Sequence, residues 1–240
     1  MRANIRRIIP GMFTMGNLLC GYLAVINTIE GSYTHAAWWI IIAGIFDALD
    51  GKVARLTGSA SDFGIEFDSI ADVVSFGIAP AVLFHSYIFA GSGNFGYFVA
   101  FCFLAAGAYR LARFNTSAST GAKKHFTGMP IPSGAGILAS FILFTEHVWN
   151  SFANFDIAVA LVILTSLAMV SGFKYETLPR FHFTSKSEST KSVLFIGLII
   201  AIIMYPDEMF FPVGILYLVS GPIRSISMPA IAHVFHKADS

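Results

Sequence analysis

The chain has 240 residues, 55% of them hydrophobic and only 12% charged, against about 25% charged in a typical soluble domain. That composition excludes an ordinary globular domain around one buried core and points to a chain that crosses a membrane several times. A formal net charge of +1 offers no electrostatic footprint for nucleic acid, and no nucleic-acid partner is expected.

A membrane-crossing helix needs about 20 mostly apolar residues. In chain order, hydropathy predicts eight spans, roughly 12–29, 35–56, 64–89, 95–114, 131–149, 155–173, 192–206 and 209–223. Ahead of the first, Arg2, Arg6 and Arg7 are set among Ile5, Ile8 and Ile9, which predicts a short amphipathic segment on the membrane surface over 2–9. No small-residue cleavage site follows the first apolar run, so no cleavable signal peptide is expected. The last two spans are short, and Pro206 with Asp207 and Glu208 reads as a tight turn between them. The expected fold is an all-α polytopic transmembrane helix bundle of about eight spans, a six-span core plus a C-terminal pair, with 1–240 forming one integral membrane domain. Cys20 and Cys102 lie in apolar segments without metal or disulfide spacing and read as small core residues. The histidines show no ligand spacing; His35, His147, His233 and His236 read as interfacial or solvated.

The basic residues set the expected orientation. All 15 Lys and Arg fall on one side of this span pattern: Arg2, Arg6 and Arg7 before span 1, Lys52 and Arg55 at the end of span 2, Arg110, Arg113, Lys123 and Lys124 after span 4, Lys174, Arg180, Lys186 and Lys191 after span 6, Arg224 and Lys237 after span 8. The opposite loops hold Glu30, Glu146, Asp207 and Glu208 but no Lys or Arg. The positive-inside rule then places both termini in the cytoplasm of a cell (inner) membrane protein.

One stretch combines charge with these apolar segments: Asp47-x-x-Asp50-Gly51-x-x-Ala54-Arg55, eight residues, then Gly64-x-x-x-Asp68-x-x-x-Asp72. A charge at the bilayer centre costs roughly 2.5–3.5 kcal/mol even on the lenient insertion scale, so four carboxylates there call for something positive. Asp47 and Asp50 are three residues apart and Asp68 and Asp72 four, so each pair shares a helix face. Two helices facing across the 56–63 connection would bring all four together as an oxygen site for hard divalent cations such as Mg²⁺ or Mn²⁺. Gly51, Ala54 and Gly64 would allow close approach of a helix or a ligand. Arg55, four residues after Gly51, offers a planar fork suited to phosphate oxygens. Two cations with Arg55 would bind a diphosphate well. Asp62 reads as a cap or loop residue.

These residues carry a resemblance. The pattern matches without departure the signature of the CDP-alcohol phosphatidyltransferase family, integral membrane enzymes that join an alcohol to a CDP-activated lipid, or a lipid alcohol to a CDP-activated headgroup, and release CMP. The resemblance implies that Asp47, Asp50, Asp68 and Asp72 hold two divalent metals and that Asp72 is also the general base. It implies CDP contacts for Gly51, Arg55 and Ser61, and for Thr14 and Asn17 at the same end of span 1. Further stretches resemble the membrane-embedded phosphatidylserine synthases of bacteria and archaea: Asn17-Leu-Leu-Cys-Gly21, Arg110-Leu-Ala-Arg113-Phe-Asn115, Gly128-Met-Pro-Ile-Pro-Ser-Gly-Ala-Gly136 and Met169-Val-Ser-Gly-Phe-Lys-Tyr175. Residues 190–240 carry no recognisable motif.

The reaction this resemblance implies uses CDP-diacylglycerol and L-serine, within membrane lipid, to give phosphatidylserine and CMP; ether-linked tails would make the product archaetidylserine. A homodimer is expected from the same likeness. Arg110 and Arg113 share a helix face and are candidates for the serine carboxylate; their alternative role is to anchor span 4 at the lipid phosphates. Lys123, Lys124 and His125 read as a lipid-surface contact. Acceptors bearing a phosphate, glycerol 3-phosphate or an inositol phosphate, would also suit a cluster of cations. An ion-coupled transporter is the reading from another class, and the absence of a second copy of the 47–72 pattern counts against it.

Overall fold

The computed structural model describes residues 2–58, 61–119, 128–149, 154–175, 197–198 and 200–236. Its helices in chain order are α1 (Arg2–Ile29), α2 (Tyr33–Thr57), α3 (Asp62–Phe89), α4 (Asn94–Ser119), α5 (Ile131–Trp149), α6 (Phe155–Val170) and α7 (Pro206–His236). Four stretches, Gly11–Ile29, Asp62–Phe89, Asn94–Thr116 and Ile131–Trp149, are long and apolar enough to cross a membrane by length and composition, and Phe155–Val170 is a shorter apolar helix. The protein is an all-helical membrane bundle.

The first six expected spans fall on α1 to α6. Of the expected span 192–206, residues 192–196 and 199 lie outside the described residues, and 197–198 and 200–204 are helical. The expected span 209–223 is part of a longer helix: the chain bends at Tyr205, and Pro206 opens α7 with Asp207 and Glu208 in its first turn. Proline at the first helical position sacrifices no intrahelical hydrogen bond, and acids there favour the positive end of the helix. The 206–208 triplet therefore starts a helix rather than forming a turn. Residues 2–9 likewise form no separate segment, because α1 runs unbroken from Arg2.

The core is centred on α5. Ile131, Ala135, Leu138, Ala139, Phe141 and Ile142 are all fully buried, as expected of a helix apolar on every side with neighbours all round. Phe76, Phe84 and Phe103 from α3 and α4 pack into the same cluster. Small residues seat α1 against its neighbours. Ala24 on α1 and Ala36, Ala37 and Ala43 on α2 are fully buried. A Cβ on Gly16 would lie 2.8 Å from the Phe46 ring, and one on Gly21 only 2.7 Å from the Ser75 Cα. Where no water drives association, such close packing holds helices together. The outer face is apolar, with Met12, Leu19 and Tyr22 of α1 and Leu164 and Leu167 of α6 exposed.

Helix α3 is not uniform. Pro80 has no N–H for the Phe76 carbonyl, and its ring crowds that carbonyl. The chain answers over Val73–Ile78 with a wider π-helical turn, in which the Ala79 N–H reaches back to the Val74 carbonyl. This turn starts directly after Asp72. At the opposite end of the bundle, polar contacts join the helices: the Tyr87 hydroxyl donates to Glu146, and His147 lies 3.7 Å from Glu208.

Candidate active site

Local signals at the 56–63 connection set the two acid-bearing helices against each other. Thr57 ends α2, and Gly58 takes the left-handed conformation (φ 61°) with its N–H on the Ala54 carbonyl. Ser61 is the N-cap of α3, its hydroxyl oxygen accepting from the Gly64 N–H at 3.1 Å. A Cβ on Gly64 would stand 3.2 Å from that same oxygen, so this glycine makes room for the cap. Asp62 sits exposed in the first turn of α3, a helix-end position as its sequence context suggested.

Across this connection, carboxylate oxygens of Asp47, Asp50 and Asp68 lie within 4.8 Å of one another. Asp50 is buried and the other two are half-buried. Asp68 Oδ1 is a buried oxygen without a hydrogen-bond partner among the described residues. Buried acceptors are almost always satisfied, so an unpartnered buried oxygen beside two further carboxylates fits a cation-binding site. The donor set is all oxygen, with no Cys or His, and suits a hard divalent cation.

Asp72 stands one turn beyond Asp68 and is buried. Its Oδ1 accepts from the Asn17 side-chain amide at 3.1 Å, and Asp50 Oδ2 accepts from the Thr14 hydroxyl at 3.0 Å. Thr14 and Asn17, three apart on α1, therefore reach one acid on α2 and one on α3. Asn17 is held in turn by Ser75, whose hydroxyl donates to the Asn17 carbonyl at 2.9 Å. The close α1–α3 crossing at Gly21 is what allows this contact, and neither Gly21 nor Ser75 stands out in sequence as part of a site. Gly51 is different from Gly64: it is exposed, and a Cβ there would meet nothing within 4 Å. Open space lies over Gly51, and Arg55, one turn further on, is also exposed.

The two arginines of α4 part company. Arg113 donates to the Val170 carbonyl at 3.0 Å and the Ser171 carbonyl at 3.2 Å, capping the end of α6. Around it, the Gly128 N–H bonds the Phe173 carbonyl and the Met129 N–H the Ala168 carbonyl, so this arginine helps to tie the start of α5 to the end of α6. Arg110 is only 8% exposed, lies over the Phe114 ring at 5.6 Å, and sits in the field of Asp72 and Asp47. Asn115 bonds Ser69 at 2.8 Å and so links α4 to the acid-bearing α3. Lys123, Lys124 and His125 lie outside the described residues.

An arrangement of clustered carboxylates at a helix pair, with a buried guanidinium close by and an open face over a glycine, is what a membrane enzyme handling a diphosphate-activated group needs. Comparison with known families agrees. The CDP-alcohol phosphatidyltransferase model matches residues 7–171, and the chain belongs to that family. Over the whole of both chains it is 32% identical to the CDP-diacylglycerol--serine O-phosphatidyltransferase of Helicobacter pylori strain J99. It is 40% identical to the protein of the same description from Methanocaldococcus jannaschii, over 73% of this chain and 78% of that one. It is also similar to the archaetidylserine synthase of Methanothermobacter thermautotrophicus, at 38% over 66% of this chain and 68% of the relative.

Proposed function

We propose that the protein transfers a phosphatidyl group from CDP-diacylglycerol to the hydroxyl of L-serine, giving phosphatidylserine and CMP. The observation that carries this reading is the separation within the acid group: three carboxylates cluster tightly, and the fourth, Asp72, stands buried beside them with Arg110 nearby. The names of the similar proteins support serine as the acceptor.

Asp47, Asp50, Asp68 and Asp72 are assigned as ligands of two Mg²⁺ or Mn²⁺ ions. When bound, such ions neutralise the diphosphate and stabilise the leaving oxygen of a phosphoryl displacement. Arg55 and the open backbone at Gly51, with Ser61, take the CDP moiety. Thr14 and Asn17 hold Asp50 and Asp72 in place and line the nucleotide end. Asp72 accepts the serine hydroxyl proton, the serine oxygen bonds to the lipid-bearing phosphorus, and the bond to CMP breaks, so that CMP leaves with the bridging oxygen. Arg110 binds the serine carboxylate. By the distribution of basic residues, this chemistry faces the cytoplasm.

Purified protein in bilayers containing CDP-diacylglycerol tests the reading when offered labelled L-serine, glycerol 3-phosphate and inositol phosphate in competition. Label from serine should enter lipid as CMP appears. Labelling from a phosphate-bearing acceptor alone would replace serine with that acceptor, and no CMP release at all would remove the transferase reading.

A further inference from the structure

Asp72 and Ser75 are three residues apart, and both reach the same residue of α1. The Asn17 side-chain amide donates to Asp72 Oδ1 at 3.1 Å, and the Ser75 hydroxyl donates to the Asn17 backbone carbonyl at 2.9 Å. Asn17 and Ser75 are both fully buried. Ser75 lies in the π-helical turn that follows Asp72. Gly21, one helical turn after Asn17, leaves the room it occupies, since a Cβ there would stand 2.7 Å from the Ser75 Cα.

The other end of the amide bears on its role. Asn17 Oδ1 is buried and has no hydrogen-bond partner among the described residues. An unpaired buried amide oxygen costs free energy that an apolar side chain of similar size would not incur. What the amide gains must then lie at its N–H end, on the carboxylate. An ionised carboxylate offers only acceptors, which fixes the end of the amide that faces it. With no bond on Oδ1, the amide is placed by the α1 backbone beneath it, and Ser75 ties that backbone to α3.

We infer that Ser75 is a positioning residue for the chemical step: through Asn17 it holds the Asp72 carboxylate where it takes the acceptor's hydroxyl proton. The inference rests on the reading in which Asp72 is the base, and adds to it a residue outside the acid cluster. The terminal torsion of an aspartate is broad, so packing alone does not fix where its oxygens lie. A general base must keep one oxygen within hydrogen-bond reach of the proton it takes. Asn17 pins Oδ1 and leaves Oδ2 for that proton. Both bonds run between α1 and α3, so the helices cannot slide past each other without straining one of them. A misplacement of about 1 Å can cost roughly 10²-fold in rate, so even a partial loosening of Asn17 reaches kcat.

Steady-state kinetics of full-length Ser75→Ala in bilayers test this. Per folded molecule, kcat with L-serine should fall about three- to tenfold, the rate equivalent of one lost hydrogen bond, with both KM values within about twofold of wild type. A fall of less than about twofold, or one accompanied by a larger change in either KM, overturns the role. A Ser75 that only packs the helices would lower the folded fraction, read by size-exclusion chromatography, and leave the rate per folded molecule unchanged. The second arm is a double-mutant cycle with Asn17→Leu. Once the amide is gone, Ser75→Ala should change kcat less than about twofold, and an effect of equal size in both backgrounds overturns the inference. If Ser75→Ala does not fold or Asn17→Leu leaves no measurable rate, Ser75→Cys decides, because a thiol replaces the hydroxyl with a weak donor. A kcat per folded molecule about twofold or more below wild type supports the role, and any smaller change overturns it. A wild-type protein that releases no CMP with serine would defeat the transfer reading itself; a serine-active wild type with a silent Ser75→Ala defeats only this inference.

Discussion

The two halves of the site differ in sign and in construction. On the side of α1, α2 and α3, carboxylates crowd together: Thr14 donates to Asp50, Asn17 to Asp72, and Asp47, Asp50 and Asp68 lie within 4.8 Å of one another. On the side of α4, the guanidinium of Arg110 is buried over the Phe114 ring. On the proposed reading, the first half holds two divalent cations, and these take the diphosphate of the donor. The second, on the same proposed reading, holds the carboxylate of the serine acceptor.

The widest separation between the halves should come from removing the metals. A chelator in excess should abolish turnover and Mn²⁺ or Mg²⁺ should restore it, with Zn²⁺ a poor substitute because the cluster has no nitrogen or sulfur ligand; full activity in chelator would sink the first half as described. Asp72→Asn comes next. It should lower kcat by about 10²–10⁴-fold while CDP-lipid binding persists, as expected of a lost general base, and retention of more than about a tenth of the rate would take that role from Asp72. Arg110→Lys keeps the charge and loses the fork, so the serine KM should rise about tenfold with the lipid KM little changed.

Smaller effects fall on stability. Gly21→Ala puts a methyl 2.7 Å from the Ser75 Cα and should cost about 1–3 kcal/mol in detergent-solubilised unfolding, along with weaker support for Asn17. Arg113→Lys should lower stability by about 1 kcal/mol, because one ammonium cannot cap two carbonyls in a fork, while leaving the serine KM near wild type. A serine KM that responds to Arg113→Lys as strongly as to Arg110→Lys would erase the distinction drawn between them.

The acid half was legible in the sequence because it is local. Asp47 to Asp72 are joined by one short connection, and helical periodicity alone brings their faces together. The positions of α1 to α6 followed from apolar length. Arg110 and Arg113 looked equivalent, since both share a face at three-residue spacing; only the arrival of α6, with its terminal carbonyls 57 and 58 residues further along, separates them. The hydrogen bond from Tyr175 to the Leu218 carbonyl was invisible for the same reason, since it depends on how α7 packs against a distant stretch of chain. The turn expected at Pro206 failed because proline both breaks helices and starts them, and the residues before it decide which.

The open face over Gly51 has a kinetic consequence. Ile45, Leu49 and Leu56 on the same helix are exposed apolar side chains, and on the proposed reading the lipid donor reaches the site from the bilayer they suit. A donor arriving this way diffuses in two dimensions. Its effective concentration is then its mole fraction among the surrounding lipids, and diluting it with inert lipid slows encounter even when the amount in the tube stays constant. The acceptor, soluble in water, obeys ordinary volume concentration. On the proposed reading, one active site thus counts its two substrates in different dimensions.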